Sequence, residues 1–165
     1  MSFTRVLLMV ALALGLAACG SGKFRNYNGP EVTQIQVHKG ARKLYLLHNT
    51  EVLEEYDVSL GSSPVGHKQF EGDGKTPEGL YFITYHNPRS RYYLSVGVSY
   101  PNQNDVDYAV SQGKLPGGDI MIHGRNGYKG RNNGDWTAGC IAVTDDDMEE
   151  IYSMLRRATP IYIMP

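Results

Sequence analysis

The sequence has few cysteines and no excess of charge of either sign. It contains 2 Cys, 1 Trp and 4 Phe in 165 residues, and 16 Lys and Arg against 17 Asp and Glu give a net charge of −1. This near neutrality excludes the strong positive field that sequence-independent binding to nucleic acid needs. A hydrophobic share of 41% beside 20% charged residues excludes a disordered or fibrous chain, and it predicts one globular domain.

The N-terminal residues have the pattern of an export signal. Arg5 precedes an apolar run, Val6 to Leu14, which is shorter than the ~20 residues that span a bilayer. Small residues follow, so we expect residues 1–18 to be a signal peptide that is removed. Simple secretion with a free N-terminal cysteine, or a buried helix, are the alternatives.

The segment Leu16-Ala17-Ala18-Cys19 resembles the bacterial lipoprotein signal. The resemblance implies that Cys19 carries three acyl chains, which at ~0.8 kcal/mol per buried methylene would anchor the protein to a membrane. Gly20, in place of Asp, implies sorting to the outer membrane in enterobacterial-type systems. Residues 19–30 are polar with Gly and Pro, which predicts a lipidated tether before a folded domain at 31–165. With Cys19 acylated, Cys140 has no partner for an intramolecular disulfide.

The pattern of the domain predicts a mainly β fold with short helices, an α+β class. Twelve Tyr suit half-buried strand faces. Short β-rich runs broken by turn residues predict an antiparallel meander at the start, and residues 61–77, rich in Gly and Pro, predict a long loop. Strands are expected at 32–38, 43–48, 51–60, 79–86, 92–97, 119–123, 139–143 and 159–164.

Two short helices are predicted late in the chain. One covers residues 102–113, with Asn102 or Asn104 as N-cap and Val106, Ala109 and Val110 on one face. The other runs from an N-cap at Thr144 through about Arg157, with three aspartates, 145–147, at its start and Arg156 and Arg157 at its end. These charges suit the helix macrodipole, and the helix start explains the aspartates without a bound cation.

His123 and Cys140 are the candidate catalytic pair. His123-Gly124 ends one predicted strand and Thr137-Ala138-Gly139-Cys140 opens the next, with a Gly-rich loop between them. A cysteine nucleophile needs a base within reach, a stabilised thiolate and room for a substrate carbonyl. Backbone N–H groups around Gly139 and Cys140 are candidates for binding the oxyanion. The alternative is that Cys140 is a buried structural thiol.

These residues resemble those of a known family. Ile120 to Gly124 (IMIHG) and Asp135 to Tyr152 (DWTAGCIAVTDDDMEEIY) look like the catalytic core of the L,D-transpeptidase family, the YkuD-like domain, in its small exported lipoprotein-type form. Upstream stretches, 70–81, 95–102 and 116–120, also fit. The resemblance implies a β-sandwich catalytic domain over 31–165 that acts on peptidoglycan stem peptides, with Cys140 as nucleophile and His123 as proton donor and acceptor.

The same resemblance assigns further roles around the pair. It implies that Cys140 forms a thioester and expels a terminal D-alanine, and that an amine then resolves the thioester. The oxyanion and substrate-binding set consists of Gly124, Thr137 and Gly139. Thr137 matches the family's Ser/Thr position, and Gly139 lies where a side chain would block substrate. No cofactor and no metal are expected, and the protein is expected to be a monomer.

Two positions depart from the family pattern. Many members have His before the Gly-Cys pair and Arg two residues after the Cys, where this sequence has Ala138 and Ala142. Losing that Arg removes a bidentate donor, which leaves transpeptidation or hydrolysis open. Arg125, Lys129 and Arg131, in the loop after His123, are candidates to replace it.

Several other residues are interpreted without a catalytic or metal-binding role. The histidines 38, 48, 67 and 86 form no zinc pattern with Cys140, and Gly72-Asp73-Gly74 reads as a turn. Trp136 is equally consistent with a lid over the site and with a loop anchor.

The sequence thus predicts an exported, lipid-anchored cysteine transpeptidase of the cell wall. The alternatives are a hydrolase that uses water as acceptor and a non-catalytic peptidoglycan-binding lipoprotein.

Overall fold

The computed structural model describes residues 22–127 and 134–165. The predicted signal, Cys19 and Gly20 lie outside these ranges, as do Lys129 and Arg131. In the ranges described, no helix is both long and apolar enough to cross a membrane.

Residues 22–30 form no helix or strand, but they lie against the domain. Lys23 Nζ donates to the carbonyl of Pro88 at 2.7 Å, and Arg25 forms an ion pair with Glu149 at 3.0 Å. The described part of the predicted tether is therefore attached to the domain surface.

One sheet organises the described residues. It has eight strands in the order β3-β2-β1-β8-β4-β5-β6-β7. Their bounds are β1 Gln34–His38, β2 Lys43–His48, β3 Glu51–Asp57, β4 Gly79–Asn87, β5 Ser95–Val98, β6 Met121–His123, β7 Ile141–Ala142 and β8 Pro160–Met164. The predicted antiparallel meander is confirmed, since β1 pairs with β2 and β2 with β3 in that sense.

Strand β4 joins the two halves of the sheet. Its first residues, 79–82, pair with β8, and its later residues pair with β5 past an irregularity between Ile83 and His86. A bulge of this kind bends a strand and increases its twist. The sheet therefore curves into a half-barrel around one core, whose fully buried members include Ile35, Leu44, Leu46, Ile83, Val96, Ile122, Ile141, Met148, Ile151 and Ile161.

Three predicted strands are shorter than expected because single residues leave the extended conformation. Tyr93 has φ of 78°, Asp119 of 54° and Gly139 of 141°, and each lies just before the observed start of β5, β6 or β7. A positive φ interrupts regular strand geometry. The predicted alternation did not reveal these turns, which bring loops, rather than strands, to the edge where His123 and Cys140 lie.

The two predicted helices are present, and their N-caps are confirmed. Helix α1 covers Gln103–Ser111 with Asn102 as N-cap, and α2 covers Asp145–Met154 with Thr144 as N-cap. Each has a capping box, in which the N-cap side chain and the third helical residue satisfy each other's backbone N–H.

Two details of the helix predictions are wrong. Helix α2 ends before Arg156 and Arg157, because its C-cap Leu155 is extended and buried, so no basic residue lies in its last turn. On α1, Val110 is 61% exposed, whereas Ala109 and Asp105 are buried. The helix contacts the domain along a narrow stripe that includes a carboxylate, which an apolar pattern does not mark.

Candidate active site

His123 ends β6, with its side chain buried beside an open pocket. Its neighbour Ile122 points into the core, as the alternation of a strand requires. The imidazole Nδ1 lies 2.6 Å from the carbonyl oxygen of Gly124. Because a carbonyl only accepts, Nδ1 carries the proton, and Nε2 is left as the basic atom. Burial lowers the pKa of His123 below its ordinary 6.5, and the charge of Arg125 lowers it further. The imidazole is therefore neutral at neutral pH.

Two aromatic rings fix the plane of this imidazole. The Tyr92 ring stacks on it with a centroid separation of 4.5 Å, and the Trp136 ring meets it edge-on at 5.8 Å. The rings also contact each other at 5.9 Å. Trp136 thus lies at the site, although its backbone N–H is tied to the carbonyl of Leu60 at 3.1 Å. The sequence did not predict Tyr92 as a site residue, because the pattern placed it within a strand, whereas it lies in the turn before β5.

Cys140 lies at the start of β7 and is partly exposed. Its Sγ lies 3.4 Å from the carbonyl oxygen of Asp119, to which the thiol donates. Burial raises the pKa of Cys140 above its ordinary 9.0, while a hydrogen bond from the Met121 backbone N–H to the sulfur opposes this. The two shifts favour a neutral thiol and a neutral imidazole at neutral pH.

The sheet brings the thiol and the imidazole to one pocket. Strands β6 and β7 run parallel, with His123 in register with Ala142, two residues after Cys140. The pocket has a volume of about 510 Å³ and is lined by Tyr92, His123, Trp136, Thr137, Ala138 and Cys140. Among the hydrogen bonds of the described residues, none joins Sγ to the imidazole. Catalytic hydrogen bonds are often formed only when substrate is bound.

Thr137 and Gly139 shape the backbone that presents the thiol. Thr137 Oγ1 donates to the Cys140 carbonyl at 2.7 Å and accepts from the Gly139 N–H at 3.1 Å. The Gly139 N–H is therefore directed to Thr137, and the Cys140 N–H remains as the oxyanion candidate of this pair. A Cβ on Gly139 would come within 2.6 Å of the Lys75 carbonyl. The Lys75 carbonyl therefore leaves no room for a side chain at position 139, and the role of Gly139 toward substrate stays a prediction.

The side chain of Asp145, which the sequence pattern places only at the start of a helix, leaves no room for a side chain at Gly124. A Cβ on Gly124 would come within 2.5 Å of Asp145 Oδ1. That oxygen accepts from the N–H groups of Arg125 at 2.6 Å and Asn126 at 2.9 Å, and Oδ2 accepts from Gly127 at 3.2 Å. Asp145 therefore holds the turn whose carbonyl, at Gly124, fixes the His123 tautomer.

The remaining candidates do not converge on this site. No group of three or more His, Cys, Asp or Glu side chains in the described ranges could hold a metal ion. His67 instead bonds to Asp105 at 3.0 Å, and Asp73 closes its turn by accepting from the backbone of Gln69, Phe70 and Lys75.

Comparisons with known proteins agree with the geometry. The sequence profile of the L,D-transpeptidase catalytic domain, YkuD, matches residues 33–163. YafK of Escherichia coli (strain K12) is 31% identical over 131 residues, which cover 75% of this chain and 47% of YafK. The chain therefore spans about half the length of this curated relative.

Solved structures share the fold. A crystal structure of the helical cell shape determining protein Pgp2 (K307A mutant) from Campylobacter jejuni matches with a TM-score of 0.63 and 27% identity, over 83% of this chain and 48% of Pgp2. An L,D-transpeptidase from Mycobacterium smegmatis matches in fold with a TM-score of 0.56 and 15% identity, over 81% of this chain and 59% of that protein. The mainly β fold with two short helices is thereby confirmed. This chain belongs to the YkuD family of L,D-transpeptidase catalytic domains.

Proposed function

We propose that the protein is a cysteine transpeptidase that acts on peptidoglycan stem peptides through a thioester on Cys140. The observation that carries the proposal is that Cys140 and His123 line one open pocket, with Nδ1 of the imidazole tied to a carbonyl so that Nε2 is the basic atom. Family membership supports the substrate class.

The reaction follows from the neutral resting pair. Nε2 takes the thiol proton as Sγ attacks the scissile carbonyl of the stem peptide, and the oxyanion forms next to the Cys140 N–H. The carbonyl then re-forms, the C–N bond to the terminal D-alanine breaks, and the imidazolium gives its proton to the departing amine. An amine from a second stem peptide attacks the thioester and gives a proton to Nε2. Nε2 passes that proton to the departing sulfur, which leaves as the thiol. General acid–base catalysis of this kind contributes ~10²- to 10⁴-fold.

Hydrolysis is the second candidate, and two small residues favour it. Ala138 lines the pocket, and buried Ala142 supplies no guanidinium from β7 that could orient an acceptor. With water as acceptor, the same thioester gives an L,D-carboxypeptidase or amidase-like product.

Incubation with purified muropeptides, followed by mass spectrometry, tests the proposal. A cross-linked product supports the transferase, a shortened product supports the hydrolase, and unchanged ligand supports a non-catalytic peptidoglycan-binding lipoprotein. Cys140→Ala should abolish either product while leaving binding largely intact. A carbapenem should add covalently to the wild type and not to that variant. Product formation by Cys140→Ala would overturn the thioester mechanism.

The location is also proposed: export, and a lipid anchor on Cys19 on the periplasmic side of the cell envelope, at the outer membrane. The sequence pattern at 1–20 supports it. Membrane fractionation of the wild type and of Cys19→Ser, with mass spectrometry of the N-terminal peptide, tests it. An unmodified Cys19 in the mature wild type would contradict the anchor.

A further inference from the structure

A second pocket lies next to the catalytic one across the edge of the sheet. Ala142 is in register with His123 on one side and bridges to Ser59 on the other, where the Ser59 and Ala142 backbones exchange two hydrogen bonds of 2.8 Å. Residues in register on paired strands face the same side of a sheet, and paired strands lie ~4.8 Å apart. Ser59 therefore lies on the same face as His123, roughly two strand spacings, or ~10 Å, away.

The guanidinium of Arg125 reaches this position. One terminal nitrogen donates to Ser59 Oγ at 3.3 Å, and Nε is buried with no hydrogen-bond partner in the described part of the chain. The pocket has a volume of about 380 Å³ and is lined by Arg42, Asp57, Val58, Ser59, Arg125 and Thr144.

The other two charged side chains of this pocket are already compensated. Arg42 forms an ion pair with Asp135 at 2.6 Å, and Asp57 accepts from Lys43 at 2.8 Å. Arg125 has no ion pair within residues 22–127 and 134–165, and its hydrogen bond goes to a neutral hydroxyl. The two terminal nitrogens of this half-buried guanidinium carry four N–H groups, of which one is directed to Ser59. These terminal groups, rather than the buried Nε, are the donors that a planar carboxylate in the pocket can reach.

Arg125 follows His123 by two residues, and its charge contributes to the lowered pKa of His123. An anion bound at Arg125 would thus lie within electrostatic reach of the reacting groups. The stem peptide that the proposed function assigns to the first pocket ends in a carboxylate, and a diamino acid with two carboxyl groups would supply a second one.

We propose that Arg125 binds a carboxylate of the stem peptide in the pocket beside Ser59, and so selects acidic over amidated substrates. This proposal rests on the proposed function for its ligand. It assigns to Arg125 the fixing of the peptide across both pockets, while Cys140 and His123 carry out the reaction.

Binding to an inactive protein tests the proposal separately from the reaction. In a Cys140→Ala background, calorimetry would compare a tetrapeptide stem with two versions of it, one amidated at the C-terminus and one amidated on the diamino acid. Adding Arg125→Gln should weaken binding of the acidic peptide roughly 10- to 100-fold, the range for a lost hydrogen bond to a charged group. It should leave the affinity for one of the two amidated peptides unchanged, and that peptide identifies the carboxylate that Arg125 contacts.

Two variants make the test specific. Arg125→Lys keeps the positive charge but not the planar guanidinium. Its affinity for the acidic peptide should therefore lie between those of the proteins with Arg and with Gln at this position. Arg156→Gln changes an arginine that is 73% exposed and paired with Glu31, and it should leave all affinities unchanged.

The proposal is overturned if Arg125→Gln weakens the acidic peptide and both amidated peptides equally, if it changes no affinity, or if no peptide binds the Cys140→Ala protein. Arg125-dependent binding without any product from the wild type would refute the reaction and leave the carboxylate site standing.

Discussion

At the scale of single residues, the site depends on a neutral imidazole. Nδ1 of His123 is fixed by the Gly124 carbonyl, and the ring is held between Tyr92 and Trp136. Burial disfavours the charged imidazolium, so Nε2 is unprotonated at neutral pH and can accept a proton. The same effect favours the neutral thiol of Cys140, so in the proposed mechanism proton transfer is part of the attack.

The acid limb of the pH profile reports this imidazole. Because the pKa of His123 is lowered from 6.5, the neutral base persists as the pH falls through 6.5, and kcat/KM should decline only below that value. Removing the charge of Arg125 by Arg125→Gln should shift the limb to higher pH. Steady-state kinetics on a muropeptide across the acid range measures the acid limb of the wild type and that of Arg125→Gln. A wild-type limb above 6.5 would contradict the assignment of a buried neutral base.

At the scale of elements, the start of helix α2 supports the site from behind. Asp145 accepts three consecutive backbone N–H groups of the turn after β6, so the helix is connected to the carbonyl that orients His123. Asp146 lies in the same first turn but is exposed. Comparing variants of Asp145 and Asp146 therefore separates the effect of holding the turn from the general effect of acidic side chains on the helix dipole.

Asp145→Ala should lower kcat by ~10²-fold with little change in KM, because misplacing a reacting group by about 1 Å has an effect of that size. Asp145→Asn keeps one acceptor oxygen and should restore part of the loss. Kinetics with circular dichroism as a check of folding would measure this.

Asp146→Asn is the matched control, with kcat expected to stay at the wild-type value. Equal losses in Asp145→Ala and Asp146→Asn, or a loss in Asp145→Ala that appears only in KM, would count against a positioning role.

At the scale of the whole molecule, the junction of β1, β8 and β4 holds the two halves of the sheet together. Strand β8 pairs parallel with β1 and antiparallel with β4, and its residue Ile161 is in register with Ile35 and with Tyr81. All three side chains are almost completely buried. The last strand thus closes the core between the first hairpin and the catalytic edge.

Ile161→Ala should lower the free energy of unfolding by about 2 to 5 kcal/mol, the range for such a truncation in a packed core. Val65→Ala, at a position that is 84% exposed, should change it by less than about 0.5 kcal/mol. Urea denaturation followed by circular dichroism measures both. A difference below 1 kcal/mol between the two variants would show that the junction is not a central part of the core.

The sequence determined the features that depend on neighbouring residues. Alternation in β1 and β2, the capping boxes at Asn102 and Thr144, and the His-Gly and Thr-x-Gly-Cys segments each lie within a few residues, where backbone geometry and side-chain chemistry are set locally. Those segments were enough to predict the mainly β class and the catalytic pair. They could not place Tyr92 on the imidazole, because that contact joins a loop to a strand end.

Only the tertiary structure decided which distant segments meet. The parallel pairing of β1 with β8 joins opposite ends of the domain, Lys75 dictates glycine at position 139, and Asp145 binds the turn after His123. Each contact depends on the curvature of the sheet and the path of its loops, which arise from the packing of the whole core. The ring, carboxylate and guanidinium around the catalytic pair are therefore products of that packing.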